Sequence, residues 1–359
     1  MFKIIDWYII RKFLGTFFFA ILLIISVAVI FDATERLDDF IEKDAPIKNI
    51  IFDYYLNFIP YFANLFSNLI LFIAVIFFTS NLSSNTEIIA ILSSGVSFRR
   101  LMLPYIISAA ILALFSFSLS NFVIPPANKV RLAFTEKYLK NPFNNFDRNI
   151  HRQVQPGEFV YMESYNVNNQ VGYKFSIEKF NEGRLVSKLL SDYVKWDNKL
   201  KKWRVFNYYI RNIDGMKETI SRGQTIDTVF YLTPDDFNKR VEIVEAMNFS
   251  ELNRYIKEQK MFGTANIDLF LIEKYRRTSF PFSAFILTII GASIASRKTK
   301  GGTGLHIGVG ILISFSYILF MQVSSQFAIG GDLNPLLAVW LPNIIFAFIS
   351  VFVYYFTPK

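Results

Sequence analysis

Six long stretches without charged residues limit what this chain can fold into. They are residues 13–31, 54–86, 101–128, 278–296, 301–331 and 333–358. A helix needs about 20 apolar residues to cross a hydrocarbon core of about 30 Å, and each stretch supplies most or all of that length. The sequence therefore predicts an α-helical membrane protein with six transmembrane helices, three before residue 125 and three after about residue 275.

Charges in the short loops predict the orientation of these helices. Basic residues precede the first helix and follow the second and fourth: Lys3, Arg11, Lys12, Arg99, Arg100, Arg297, Lys298 and Lys300. The other short loops are acidic, with Asp32, Glu35, Asp38, Asp39, Glu42, Asp44 and Asp332. Basic short loops stay in the cytoplasm, so we expect both termini there. The formal charge of +9 then needs no nucleic-acid partner.

The segment between the two helix triplets has a different pattern. From Glu158 onward, short runs rich in Tyr, Phe, Val, Ile and Trp alternate with polar residues and end at Asn, Gly or Asp. This pattern predicts antiparallel strands with one buried face. We expect a jelly-roll-like β domain outside the cytoplasm. The predicted domains are residues 1–124, with a short cytoplasmic helix at 85–95, then the β domain with its linkers at 125–265, and the last three helices at 266–359.

Several kinds of chemistry are missing from the sequence. The chain has no cysteine and no His-Glu-x-x-His motif, which disfavours a thiolate metal site and a zinc protease. Its glycine-rich run, KTKGGTG at 298–304, lacks the lysine and hydroxyl of a nucleotide-binding loop. We therefore predict no catalytic residue, metal or cofactor, and we expect any energy to come from another subunit.

The short polar segment at 85–95 contains the clearest local signals. Ser84 and Glu87 have the spacing of a capping box, and Gly95 can end a helix in the left-handed conformation. We expect a helix of about ten residues with one apolar face, formed by Ile88, Ile91 and Leu92. On the residues alone, an ordinary connector whose Glu87 caps its own helix is the favoured interpretation.

Five segments in order resemble the LptF/LptG (YjgP/YjgQ) permease family. They are IIDWYIIRKFLGTF, TEIIAILSSGVSFRRLMLP, VIPPANKVR, EKYRRTSFPFSAFILTIIGASIASRKTKGGTG and LNPLLAVWLPNIIFAF. The resemblance covers both helix triplets and implies an inner-membrane permease for lipopolysaccharide with a periplasmic β-jellyroll. It also implies a second LptF/LptG-type subunit, a cytoplasmic LptB-type ATPase dimer, and periplasmic LptC/LptA-type jellyroll proteins that receive the lipid.

Under this resemblance the segment at 85–95 is a coupling helix that docks on the ATPase. The implied ATPase-coupling residues are Glu87, Ile88, Ile91, Leu92, Gly95, Arg99 and Arg100. Glu87 can cap its helix and still present an oxygen to a partner arginine, so the two interpretations are compatible.

Lipid-binding residues are less clearly marked. The candidates are Phe31, Arg36, Phe62, Phe66, Phe315 and Phe320. For Arg36 the alternative is a surface ion pair with Asp32 or Asp39, because acids surround it where the family has more basic residues. For the phenylalanines the alternative is packing or lipid exposure.

Gly304 and Gly308 form a Gly-x-x-x-Gly pattern at the start of the fifth helix, which permits close helix packing. The pattern fits packing within the chain or a seam against a second subunit. The sequence does not distinguish an F-type from a G-type subunit, or a heterodimer from a homodimer. A membrane scaffold whose β domain binds a partner, without transport, is the alternative function.

Overall fold

The computed structural model describes residues 3–139, 148–230, 232–237, 241–263, 267–297 and 302–357. Within these residues, six helices are long and apolar enough to cross a membrane: α1 (Ile4–Glu42), α2 (Ile47–Ser84), α4 (Phe98–Tyr138), α7 (Ile267–Ala295), α8 (Gly302–Ile329) and α9 (Pro335–Tyr355). The short helix α3 (Glu87–Ser93) lies between α2 and α4. Two further helices are α5 (Pro234–Phe237) and α6 (Phe249–Phe262), and a 3-10 helix spans Val241–Ala246. The predicted six spans are confirmed.

Two compact units divide the chain. The membrane unit contains residues 1–139, 244–249 and 268–359, and the β unit contains residues 140–243 and 250–267. The third span continues through Pro125 and Pro126 to Tyr138, so the membrane unit extends past residue 124. A π-helical stretch, Leu119–Val123, precedes the two prolines, which therefore stand in the first turn of the α-helical segment Ile124–Tyr138, where a proline loses no hydrogen bond that the segment needs.

Helix α2 lies at the centre of the membrane unit. Its residues Phe72, Val75 and Ile76 are fully buried, and α2 packs against both α1 and α8. A β carbon at Gly310 of α8 would overlap with the end of the buried Ile76 side chain, so glycine permits this close approach. Gly291 of α7 gives a similar tight contact, because a β carbon there would lie 3.0 Å from Val75.

Polar side chains inside the membrane unit join helices to one another. Asn64 of α2 donates to Ser120 and accepts from Ser116, at 3.0 and 2.7 Å. Asn343 of α9 accepts from the hydroxyl of Tyr317 at 2.8 Å and donates to the carbonyl of Ser279 at 2.9 Å. Buried polar groups are costly in hydrocarbon unless they are paired, so these contacts tie α2 to α4 and α9 to α7 and α8.

The six spans differ greatly in how much of their surface the chain covers. In the most apolar stretch of each helix, 61% of the residues of α7 are buried, but only 17% for α1 and 22% for α8. Helices α1 and α8 therefore present most of their apolar side chains outward.

The β unit is an antiparallel meander of six strands within the described residues: β1 (Arg148–Gln155), β2 (Glu158–Asn166), β3 (Val171–Asn181), β4 (Arg184–Asp197), β5 (Lys202–Asp214) and β6 (Lys217–Thr228). Each strand pairs with the next along the chain. The inserted antiparallel β domain is confirmed, and its sequential strand order is a feature that the sequence did not specify. Strand β1 was missed, because only Ile150 and Val154 interrupt its polar residues.

A line of irregular residues crosses three neighbouring strands of this sheet. Lys174 and Asn207 have positive φ angles of 52° and 50°, and Asn207 donates to the carboxylate of Asp192 at 3.1 Å. The alternation of buried and exposed residues shifts by one position at this line. On β4, Ser191 and Val194 are both buried although they are three residues apart, where strict alternation would put them on opposite faces. The pairing register of the strands is the same on both sides of this line, so the irregularity changes which face the side chains point to without shifting the strands.

Trp203 lies in the middle of that core. Its ring stacks against Phe230 at a centroid distance of 5.3 Å, and its indole N–H donates to the carbonyl of Leu232 at 2.7 Å. The side chain is fully buried and its one polar atom is satisfied.

We expect Trp203→Ala to destabilise the β unit by about 3–5 kcal/mol, the usual cost of removing a buried aromatic side chain. The measurement is the urea dependence of protease resistance of the β unit in the full-length, detergent-solubilised chain. Met216→Ala, at a fully exposed hairpin tip, is the control and should change stability by less than about 0.5 kcal/mol. Equal effects of the two substitutions would contradict this assignment of the core.

Candidate coupling and lipid-facing sites

Helix α3 does not begin with the predicted capping box. Helix α2 continues through Ser84, and Thr86, with a left-handed φ of 60°, precedes α3. Glu87 is thus the first residue of α3 rather than the third, no side chain caps the helix, and α3 has seven residues instead of about ten. The physical reason is that Ser84 belongs to the last turn of α2, so its backbone cannot take the extended conformation of an N-cap.

The end of α3 agrees with the sequence. Gly95 has a φ of 87°, and its N–H donates to the carbonyl of Leu92 at 3.0 Å. Helix α4 then starts at Phe98, where the hydroxyl of Ser97 accepts from the N–H of Arg100 at 3.3 Å. Left-handed residues therefore flank α3 on both sides and separate it from the two long helices.

The apolar face of α3 packs on the chain itself. Ile88 is 1% exposed in the core of the membrane unit, and Ile91 and Leu92 are half-buried against the same core. Ile89 is 48% exposed and is the large apolar side chain that α3 presents at the surface. The predicted docking anchors thus face inward, because a short helix gains most stability by burying its apolar stripe.

Glu87 contacts helix α1. Its carboxylate accepts a hydrogen bond from the hydroxyl of Tyr8 at 2.8 Å, and the ammonium group of Lys12 lies 3.9 Å away. The amide of Asn85 also lies within 3.5 Å. The carboxylate therefore connects α3 to the start of α1 and does not cap its own helix.

Arg100 also contacts the start of α1. Its guanidinium donates to both oxygens of Asp6, at 2.7 and 2.6 Å. Asp6 is 3% exposed and also accepts from the backbone N–H of Lys3 at 2.8 Å. The pair is bidentate, which is the strongest geometry for an arginine and a carboxylate. The neighbouring Arg99 is exposed and remains at the surface.

Asp6 and Tyr8 are the functional candidates that the sequence analysis missed. A signal was present, since Asp6 is an acid among basic residues directly before a long apolar stretch. Their partners, however, lie 94 and 79 residues away along the chain, so only the folded structure pairs them.

The predicted lipid-binding phenylalanines fall into two groups. Phe31 and Phe315 are 72% and 59% exposed on α1 and α8. Phe62, Phe66 and Phe320 are half-buried. Phe62 and Phe66 form a ring pair, with centroids 6.2 Å apart. The structure does not gather the five rings into one cavity within the described residues.

Arg36 is paired within α1. Its guanidinium donates to the carboxylate of Asp32 at 2.9 Å, one helical turn away. The hydroxyls of Tyr54 and Tyr55 of α2 donate to the same carboxylate at 3.2 and 3.3 Å. The ion-pair alternative for Arg36 is therefore present in the structure.

Gly304 and Gly308 face open space. In the described part of the chain, nothing beyond the adjacent residues and the local backbone of α8 lies within 4 Å of the position that a β carbon would take at either residue. The tight glycine contact within the chain is made instead by Gly310, two residues further along α8. His306, between the two glycines, is buried and lies 3.0 Å from the hydroxyl of Ser80. Lys298 and Lys300, which contributed to the predicted orientation, lie outside the described residues.

No group of His, Asp and Glu side chains that could hold a metal ion occurs in the part of the chain that the structure describes. The polar contacts at the start of α1, α3 and α4 instead form a set of helix-to-helix connections.

Comparison with known families agrees with this architecture. Residues 7–355 match the family described as "Lipopolysaccharide export system permease LptF/LptG". A comparison with curated proteins gives no match. The family match covers nearly the whole chain, including the six spans and the inserted β domain. The chain therefore belongs to the LptF/LptG family of lipopolysaccharide export permeases, multi-pass transporter components of the inner membrane.

Proposed function

We propose that this chain is one of two permease subunits of an ABC transporter that extracts lipopolysaccharide from the inner membrane. A separate LptB-type ATPase dimer in the cytoplasm supplies the energy, and the lipid passes to LptC/LptA-type jellyroll proteins in the periplasm. Besides the family, the observation that carries the proposal is helix α3, a surface helix joined to two membrane spans by left-handed turns. Such a helix gives a motor outside the membrane a point of attachment.

The orientation belongs to the same proposal. We place both termini and α3 in the cytoplasm and the β unit in the periplasm. Arg99 and Arg297 support this, because basic residues next to spans remain on the cytoplasmic side. Arg297 also donates a hydrogen bond to the carbonyl of Phe356, which joins the segment after α7 to the end of α9.

The coupling residues are those that α3 and its flanks expose. Ile89 supplies the apolar contact, Arg99 supplies a charge, and Glu87 presents its half-exposed carboxylate beside them. Ile88, Ile91, Leu92 and Gly95 hold α3 in place, so their part in coupling is to support the surface rather than to touch the ATPase.

The second subunit covers the outward faces of α1 and α8 in this proposal. Both spans are sparsely buried by the chain itself, and Gly304 and Gly308 leave a shallow strip along α8 where another helix can approach. Lipid acyl chains enter between the subunits, where Phe31 and Phe315 are exposed. Phe62, Phe66, Phe320 and Arg36 contribute only their exposed parts, because each is half-buried or paired within the chain.

The β unit offers an edge for the next protein in the path. Strand β6 pairs with β5 alone within the described residues, and nine of its twelve residues are exposed. An unpaired edge can accept a strand of another sheet.

The alternative function, a scaffold without transport, predicts a chain that purifies without an ATPase.

We expect Ile89→Asp to abolish copurification of the ATPase when the chain is expressed with the partner subunit and ATPase of its source organism. A charge at an apolar contact is left without a partner in the docked complex. Leu200→Asp, at an exposed turn of the β unit, is the matched control and should bind the ATPase normally. The scaffold function would be favoured if the unsubstituted chain binds no ATPase and if its proteoliposomes release no lipopolysaccharide when ATP is added.

We expect Gly308→Leu to weaken copurification of the second permease subunit while leaving the melting temperature of the isolated chain unchanged, because no other described element fills that space. Gly310→Leu should instead lower the melting temperature of the isolated chain, because the new side chain overlaps with Ile76. The two variants differ by two positions on one helix. If Gly308→Leu melts earlier and Gly310→Leu does not, the proposed interface on α8 is wrong.

A further inference from the structure

We infer that the first turns of α1 are the part of the chain through which movement of α3 reaches α1, with Asp6, Tyr8 and Arg100 as positioning residues. The inference rests on the proposed function, since it assumes that α3 docks on an ATPase. It goes beyond that function by assigning a role to residues that do not touch the ATPase or the lipid.

Two separate polar contacts attach this end of α1 to its neighbours. The hydroxyl of Tyr8 donates to Glu87 on α3, and both terminal nitrogens of Arg100 on α4 donate to the carboxylate of Asp6. Lys12 adds a third, longer contact to Glu87 and lies over the Tyr8 ring at 4.6 Å. We call these contacts the α1 clasp.

The chain connections of α3 are poorly suited to carry movement. Thr86 and Gly95, both with positive φ, separate α3 from α2 and α4. A turn on each side interrupts the helical backbone between α3 and the long helices, so movement of α3 must pass through its side-chain contacts. The side chain of Glu87 is a shorter path, because it starts two residues from Ile89 and ends directly on α1.

The rest of α1 is built to respond. The helix has 39 residues, about 58 Å at 1.5 Å per residue. Its buried residues form a single stripe that includes Ile9, Phe13, Phe17 and Ile21. After Ile21, α1 has no buried residue before Phe40. Its next hydrogen bonds to another helix join Asp32 to the hydroxyls of Tyr54 and Tyr55. A stiff helix that is clasped at one end and sparsely packed along its length transmits a shift at the clasp to its outward face.

The test uses the complete transporter in proteoliposomes and compares ATP turnover with ATP-dependent release of lipopolysaccharide. Tyr8→Phe removes only the hydroxyl that binds Glu87. We expect it to keep ATP turnover and ATPase binding while lipid release falls by at least about fivefold, the lower range of usual coupling effects. Tyr354→Phe is the matched control, because this tyrosine packs its ring on Phe98 at the same end of the unit. It should leave both rates unchanged.

Exchange of the ion pair gives a second, independent readout. Asp6→Arg alone should lose lipid release, and the double variant Asp6→Arg with Arg100→Asp should recover part of it, since the pair is restored with reversed polarity. If Asp6→Arg fails to fold, Tyr8→Phe still decides the matter.

Movement itself can be measured, because the chain contains no cysteine to interfere with labelling. Spin labels at Leu22→Cys on α1 and Phe348→Cys on α9, both exposed, report the distance between these helices. We expect ATP to change this distance in the parent and not in Tyr8→Phe.

The outcomes separate the two ideas. A Tyr8→Phe transporter that releases lipid and moves α1 as the parent does would overturn the α1 clasp while leaving the proposed function intact. A parent transporter that binds no ATPase would overturn the proposed function, and the inference with it.

Discussion

The hydrocarbon of the bilayer is the constraint on which the rest of this structure depends. Backbone N–H and C=O groups have no water to bind there, so each span must satisfy them within a helix. The same constraint governs the side chains. Asn64 and Asn343 each bind groups on other helices, and these bonds hold the spans in register. Close packing then follows from small residues, with Gly291 and Gly310 admitting α2 to the centre of the unit.

A central α2 leaves α1 and α8 at the outside, and this arrangement connects fold to function. Each of these two helices buries only a narrow stripe of its surface. The rest forms a large apolar surface that lipid or a second subunit must cover. In a transporter for a large amphipathic lipid, such a surface is useful because it can be opened and closed without unfolding a core. The proposed second subunit and the proposed lipid path both depend on this surface.

Helix α3 shows where local sequence rules reach their limit. The predicted helix and its left-handed end at Gly95 are both present, because a turn at glycine depends only on neighbouring residues. The predicted capping box is absent, because α2 extends through Ser84. Ile88, Ile91 and Leu92 do share one face, but that face is turned toward the chain's own core. The β unit repeats the lesson: five strands follow from their alternation, while the polar strand β1 is held mainly by pairing with β2.

The sequence by itself determined the six spans, the inserted antiparallel domain and the family, because apolar length, alternation and motifs are all local properties. Tertiary structure decided which partner each polar group finds. Glu87 meets Tyr8 across 79 residues, and Arg100 meets Asp6 across 94. It also decided that Gly310, rather than Gly304 or Gly308, makes the tight contact within the chain. Contacts of this kind depend on how helices distant in sequence rotate and pack against one another, which no local pattern records.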